Sequence, residues 1–113
     1  MAKIYHNPRC RKSREALAFL KEQNIEPEIV EYLKTPPTKE ELSEVINKLG
    51  IKAEDLIRKK EAVYKENFKG QSLSDEEWIE AMAQNPVLIE RPIVIKGDKA
   101  YIARSQEALE QIK

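Results

Sequence analysis

The fold of this chain is decided by residues 4–14, IYHNPRCRKSR, in which a short apolar run gives way to a helical pattern. Proline is tolerated in the first turn of a helix, so Asn7-Pro8 marks a turn or the start of that helix. The single cysteine, Cys10, therefore lies where a strand ends and a helix begins. This position offers its sulfur unpaired backbone N–H groups and the positive end of a helix dipole.

Cys10 is predicted to be a reactive thiolate. Four cationic residues lie within four positions of it, namely Arg9, Arg11, Lys12 and Arg14. Positive charge favours the thiolate over the thiol. A lone cysteine can also be a small buried hydrophobic residue, but burial beside four cations is costly. The sequence therefore favours a reactive sulfur.

Composition limits the class of protein. A chain of 113 residues with 41% apolar and 35% charged residues is typical of one soluble globular domain, predicted here over residues 1–113. The 20 basic residues balance 20 acidic ones, which argues against a nucleic-acid binder. Because no signal segment or membrane span is recognisable, we expect a cytoplasmic protein without membrane attachment. Its size and the lack of a long unused apolar stripe favour a monomer.

Hydrophobic periodicity predicts strands and helices along the chain. The predicted strands are Lys3–Tyr5, Glu28–Leu33, Ile93–Ile95 and Tyr101–Ala103, with a tight turn at 96–99 between the last two. The predicted helices run from the Cys10 region to near Asn24, from Thr38 to Gly50, from Ile51 to about Lys60, from Ser74 to Asn85-Pro86, and onward from Ser105. Capping boxes, Thr38 with Glu41 and Ser74 with Glu77, mark two of the helix starts.

This order of elements predicts an α/β protein with a thioredoxin-like fold, a four-stranded mixed sheet with a helical insertion from about 38 to 85. The first strand–helix–strand crossover is expected to be parallel and right-handed. Such a sheet puts Cys10 at the carboxyl end of the first strand, where ligands bind in many α/β folds.

Five ordered motifs resemble the glutaredoxin-dependent arsenate reductases, which have this thioredoxin-like fold. The motifs are HNPRCRKSR at 6–14, YLKTPPT at 32–38, LIRK at 56–59, NP at 85–86 and ERPIV at 90–94. They cover nearly the whole chain. The resemblance implies an oxidoreductase that reduces arsenate to arsenite.

The same resemblance implies roles for individual residues. Cys10 is the implied nucleophile, and Arg58, Arg91 and Arg104 are the implied oxyanion-binding residues. Guanidinium groups suit this task because their paired N–H donors match the oxygens of an oxyanion. A cis peptide bond before Pro92 is also implied.

No bound cofactor is implied, because the reductants come from outside the chain. Glutathione, as a co-substrate, attacks the thiol–arsenate ester, and glutaredoxin then removes the glutathione left on the enzyme. Ser13 stands where a dithiol protein has its second cysteine, so an external thiol must resolve the intermediate. Ser13 itself either donates a hydrogen bond to the sulfur or caps the helix.

His6 and Asn7 are predicted to support the site. His6 either tunes the thiol electrostatically or forms structural hydrogen bonds. Asn7 can fix the loop through its side chain. With one histidine and one cysteine, the chain offers too few of these ligands for a structural zinc site, and no metal is predicted.

Two alternative functions remain open. Arg11 and Lys12 stand where members of the family usually have small uncharged residues; these side chains either help to ionise Cys10 or narrow its pocket. One alternative is a glutathione-linked thiol oxidoreductase with a substrate other than arsenate. The other is an Spx-like regulator that binds RNA polymerase. Spx proteins commonly carry a Cys-x-x-Cys switch, which Ser13 removes here, and the three implied oxyanion-binding arginines also favour an enzyme.

Overall fold

Four strands form one mixed sheet in the computed structural model of this protein, which describes residues 2–112. The strands are β1 (Ala2–Tyr5), β2 (Glu28–Val30), β3 (Ile93–Lys96) and β4 (Lys99–Ile102). Their order in the sheet is β2-β1-β3-β4, with β1 parallel to β2 and antiparallel to β3, and β3 antiparallel to β4. The predicted α/β fold with a thioredoxin-like sheet is confirmed.

Five α-helices accompany the sheet within residues 2–112. They are α1 (Arg11–Glu22), α2 (Lys39–Leu49), α3 (Ala62–Asn67), α4 (Asp75–Gln84) and α5 (Gln106–Gln111). Two short 3₁₀ turns cover Ala53–Leu56 and Pro86–Leu88. In this described part of the chain, no helix combines the length and apolarity needed to cross a bilayer.

The chain divides into two compact units, one made of Met1–Thr35 and Arg91–Lys113 and the other of Pro36–Glu90. The first unit contains the whole sheet, α1 and α5. The second contains the predicted helical insertion. The assignment of 1–113 to a single domain stays a prediction.

Apolar side chains of the sheet and of its two helices form the core of the first unit. Its buried members are Ile4, Ala16, Leu20, Val94, Ala103, Leu109 and Ile112. Along α1 the buried positions are Ser13, Ala16 and Leu20, spaced three and four residues apart as a helix that buries one face requires. This packing fixes the position of α1, and with it the position of Cys10 at its start.

Local sequence signals define the helices of the second unit. Thr38 Oγ1 accepts the Glu41 N–H at 3.1 Å, and the Glu41 carboxylate accepts the Thr38 N–H at 2.9 Å, so the predicted capping box of α2 is confirmed. The helix ends at Gly50, whose φ of +70° lies in the left-handed region that favours glycine. Trp78 and Met82 of α4 are buried, as predicted.

The prediction of a helix from Ile51 to about Lys60 is wrong. Only the 3₁₀ turn over Ala53–Leu56 forms, and Ile57 then pairs with Ile89 in an isolated antiparallel bridge. The Arg58 N–H donates to the Leu88 carbonyl at 2.7 Å. This pairing of two distant segments of the chain uses the backbone N–H and carbonyl groups that a continuing helix would need.

Two smaller corrections concern the sheet. The second strand ends at Val30 rather than Leu33, because the Lys34 and Thr35 N–H groups both donate to the Glu31 carbonyl and form a turn. In the confirmed hairpin β3–β4, Lys96 pairs with Lys99 and Gly97 has a φ of +64°. β4 begins two residues earlier than predicted and ends at Ile102.

Candidate active site

The loop between β1 and α1 holds Cys10 through backbone hydrogen bonds. The His6 N–H donates to the Val30 carbonyl at 2.8 Å, and the Cys10 N–H donates to the Asn7 carbonyl at 2.9 Å. Asn7 Oδ1 accepts the Arg9 N–H at 3.0 Å, a side-chain contact that fixes the turn. The loop therefore presents Cys10 as the N-cap residue of α1, with an extended backbone at φ −91° and ψ 122°.

The sulfur of Cys10 lies among hydrogen-bond donors. Burial has the largest effect on its pKa and raises it, but several donors more than offset this effect. The backbone N–H of Ser13, the Arg91 guanidinium and the backbone N–H of Lys12 bind the sulfur, and together they lower its pKa from 9.0 to about 7. At neutral pH, a substantial fraction of Cys10 is therefore thiolate.

Three of the four cations beside Cys10 in the sequence have other partners. Arg11 Nε lies 3.0 Å from a Glu15 carboxylate oxygen, and Lys12 Nζ lies 3.6 Å from the other one. Arg14 Nη1 donates to the Pro8 carbonyl at 2.9 Å and thereby ties α1 to the loop. The low thiol pKa thus arises mainly from helix N–H groups and from a distant arginine, rather than from these neighbours.

Two of the predicted oxyanion-binding arginines lie in the first unit with Cys10. Arg91 binds the sulfur through its guanidinium. Arg104 Nη1 donates to the Arg91 backbone carbonyl at 2.8 Å. The Arg91–Pro92 peptide bond is cis, as predicted, and the Ala103 N–H donates to the Pro92 carbonyl at 2.9 Å. The start of β3 and the end of β4 thus bring both arginines to one place.

His6 lies buried at the end of β1, with only 6% of its surface exposed. Burial is the largest influence on its pKa and lowers it; Glu31 raises the pKa and Arg14 lowers it, for a net decrease below 6.5. The imidazole is therefore mainly neutral at neutral pH. Its Nδ1 atom is buried and has no hydrogen-bond partner among residues 2–112.

Ser13 is fully buried on the inner face of α1. Its Oγ accepts the Asn7 N–H at a long distance of 3.4 Å, and its own backbone N–H binds the Cys10 sulfur. The hydroxyl does not cap α1, because the N-cap residue is Cys10. Ser13 therefore connects the loop to the helix that presents the thiolate.

Comparison with known proteins identifies the family of this chain. The model of the ArsC family matches residues 5–112. The chain belongs to the ArsC family. It is 51% identical over 112 residues to the uncharacterized protein YfgD of Escherichia coli K12, covering 97% of this chain and 94% of that protein. It is 44% identical over 112 residues to an arsenate reductase of Neisseria meningitidis serogroup A, covering 97% and 96%.

Solved structures give the same assignment. An arsenate reductase from Vibrio cholerae has a TM-score of 0.88 to this ArsC-family chain at 45% identity. The match covers 98% of this chain and 93% of that one. A putative arsenate reductase from Yersinia pestis also has a TM-score of 0.88, at 46% identity, and covers 99% and 97% of the two chains.

Arg58, the third predicted oxyanion-binding residue, belongs to the second unit. Its guanidinium Nε lies 3.5 Å from a Glu61 carboxylate oxygen, and 17% of its side-chain surface is exposed. Within residues 2–112, its Nη1 atom is buried and has no hydrogen-bond partner. A buried guanidinium N–H of this kind is well suited to donate a hydrogen bond to an acceptor atom of a ligand. The oxyanion-binding role of Arg58 stays a prediction.

Sequence reasoning missed the backbone part of this ArsC-family site. Neither the Arg14 contact with the Pro8 carbonyl nor the Arg104 contact with the Arg91 carbonyl was predicted. The position of Arg14, one helical turn after Cys10, is the only sequence signal for the first contact. The second depends on the pairing of β3 with β4, which brings the two arginines together.

Proposed function

We propose that the protein reduces arsenate to arsenite, with Cys10 as the nucleophile and with glutathione and glutaredoxin as the external reductants. One observation carries the proposal: the Cys10 sulfur has a pKa of about 7 and accepts a hydrogen bond from Arg91 in an ArsC-family chain. Relatives at 44% and 38% identity are named arsenate reductases.

The reaction begins when the Cys10 thiolate attacks arsenic. One arsenate oxygen leaves as water, with protons from solvent, and a thiol–arsenate ester forms. Arg91 and Arg104 bind the oxyanion and stabilise the charge that develops on its oxygens. The family resemblance gives Arg58 the same role, which its buried Nη1 donor supports.

The electrons come from two thiols. Cys10 is the one cysteine of the chain, so the second thiol comes from another molecule, which the family resemblance implies is glutathione. The two sulfurs join in a mixed disulfide, their electron pair reduces arsenic from the +5 to the +3 state, and arsenite leaves. In total, arsenate and two thiols give arsenite, one disulfide and one water. A glutaredoxin thiol then takes up the glutathionyl group and releases Cys10.

We assign this reaction to the cytoplasm, where low-molecular-weight thiols keep cysteines reduced, and to the monomer. No cofactor bound to the chain takes part. Glutathione enters as a substrate and leaves on glutaredoxin.

The test is a coupled assay with arsenate, glutathione, glutaredoxin and an enzyme system that recycles glutathione with NADPH. We expect arsenate-dependent NADPH oxidation, which Cys10→Ser abolishes. Arg9→Ala is the control, because the Arg9 side chain is exposed, and it should keep activity within about twofold, as surface substitutions usually do.

Two results would contradict the proposal: activity that survives in Cys10→Ser, or no arsenate-dependent oxidation by the wild type. If the wild type instead forms a glutathione adduct on Cys10 without arsenate turnover, a thiol oxidoreductase with another substrate replaces the arsenate reductase. Mass spectrometry after treatment with oxidised glutathione detects that adduct.

A further inference from the structure

A polar groove lies in the first unit along α1 and α5. Its volume is about 600 Å³, within the range of about 300–1,000 Å³ typical of small-molecule sites. Lys12, Phe19 and Gln23 line it from α1. Arg104 and Gln106 line it from the end of β4 and the start of α5.

Two residues that line this groove, Lys12 and Arg104, are linked to the reactive sulfur. Lys12 is two residues after Cys10, and its backbone N–H binds the sulfur. Arg104 donates to the carbonyl of Arg91, whose guanidinium also binds the sulfur. These links favour the Lys12 and Arg104 side of the groove as the place for the rest of a molecule whose thiol reacts with Cys10.

The groove offers charges of both signs. Lys12 and Arg104 supply positive charge, and Glu15, which lies 3.6 Å from Lys12 Nζ, and Glu22 supply negative charge along α1. Glu22 has no ion-pair partner in the described part of the chain. Glutathione is a tripeptide thiol with two carboxylates and one ammonium group, so its charges find partners of opposite sign here.

We propose that this groove binds the glutathionyl group, both in incoming glutathione and in the mixed disulfide with Cys10, and that Lys12 binds one of its carboxylates. The assignment rests on the proposed use of glutathione as the co-substrate. It also gives Lys12 a function distinct from that of Arg11. Arg11 does not line the groove, and its side chain is 83% exposed, against 48% for Lys12.

The experiment compares Lys12→Ala with Arg11→Ala, a matched control. Both substitutions remove one positive charge within two residues of Cys10, and both remove one ion pair with Glu15. Each variant reacts with oxidised glutathione, from which the Cys10 thiolate takes one glutathionyl sulfur and releases one glutathione thiolate. Each also reacts with bis(2-hydroxyethyl) disulfide, an uncharged disulfide that has no carboxylate for Lys12.

We expect the ratio of the two rates, glutathione disulfide over hydroxyethyl disulfide, to fall about three- to fivefold in Lys12→Ala, as the loss of one exposed ion pair predicts. In Arg11→Ala the ratio should stay within about 1.5-fold of the wild-type value. Equal losses in the two variants would show general electrostatic attraction and would overturn the assignment, as would an unchanged ratio in Lys12→Ala.

A second measurement needs no reaction at Cys10. S-methylglutathione, which has no free thiol, should shift the backbone amide NMR signals of Phe19, Gln23 and Gln106 in the wild-type protein. Shifts confined to another surface would refute the groove as the site. Both measurements omit arsenate, so their outcome is independent of the coupled assay. The groove can bind glutathione in a protein that does not reduce arsenate, and a protein that reduces arsenate can bind glutathione elsewhere.

Discussion

At the level of single residues, the chemistry of this protein depends on how one sulfur becomes ionised. Burial of Cys10 opposes ionisation, and the N–H groups of Ser13 and Lys12 together with the Arg91 guanidinium reverse that effect. The first two donors are backbone N–H groups at the N-terminus of a helix. They are available to the sulfur because they have no hydrogen-bond partner within the helix. The arginine adds a full charge.

Removing the Arg91 guanidinium should raise the Cys10 pKa. In the wild type, the rate of alkylation by iodoacetamide should rise as pH increases through about 7 and then level off, because the thiolate is the nucleophile. In Arg91→Gln, the hydrogen bond from a charged donor to the sulfur is lost. The pH at which the alkylation rate is half its maximum should then move toward 9.0, the ordinary pKa of a cysteine thiol.

Arg11→Gln is the control for this measurement. Arg11 is closer to Cys10 in sequence, but it pairs with Glu15 at 3.0 Å. Its substitution should leave the midpoint near the wild-type value. A larger shift in Arg11→Gln than in Arg91→Gln would mean that neighbouring surface charge, rather than the Arg91 contact, ionises the thiol.

At the level of secondary structure, the most predictable elements are those whose ends are defined by side chains a few residues away. The α2 and α4 starts show reciprocal capping boxes, Thr38 with Glu41 and Ser74 with Glu77. Such contacts form within one helical turn, so they require no knowledge of the rest of the fold. The predicted helix starts at both positions are correct for that reason.

Substituting either cap should destabilise the protein. Thr38→Ala and Ser74→Ala each leave a helix N–H without its acceptor, and each should lower the free energy of unfolding by about 1 kcal/mol. Urea denaturation followed by circular dichroism measures this loss. Thr35→Ala, at an exposed threonine before α2, should change it by less than about 0.5 kcal/mol. An equal effect at Thr35 would show that the capping contacts contribute little.

The incorrect helix at 51–60 shows the limit of such local signals. The prediction placed Leu56 and Ile57 on the inner side of a helix, but both bond to a segment about 30 residues further on. The Glu90 N–H donates to the Leu56 carbonyl at 2.8 Å, and Ile57 pairs with Ile89. Long-range pairing of this kind overrides helix propensity, which is a weak preference for each residue.

At the level of the whole molecule, stability should depend on the core of the first unit. Leu20 is fully buried in that core, whereas Leu33 is 45% exposed. Leu20→Ala removes buried apolar surface and leaves a cavity, so it should cost about 2–5 kcal/mol of unfolding free energy. Leu33→Ala should cost less than about 1 kcal/mol. Urea unfolding curves of the two variants give this comparison, and similar losses would contradict the assigned core.

The sequence by itself determined the starts of α1, α2, α4 and α5, the hairpin turn and the position of Cys10 between a strand and a helix. These features depend on contacts between residues that are close in the sequence, so the types of the residues in contact can be read from the sequence. It also contained enough family motifs to identify the ArsC family, which the match over 5–112 confirms.

Only the tertiary structure decided which charges act on the sulfur. The sequence pointed to Arg11 and Lys12, but their side chains pair with Glu15 on the same helix. Arg91 is far from Cys10 in the sequence, and pairing of β1 with β3 brings it to the sulfur. Pairing of β3 with β4 brings Arg104 to the Arg91 carbonyl. Hydrogen bonds and charges act over a few ångströms of space, so the sheet, rather than distance along the chain, selects the partners of the thiolate.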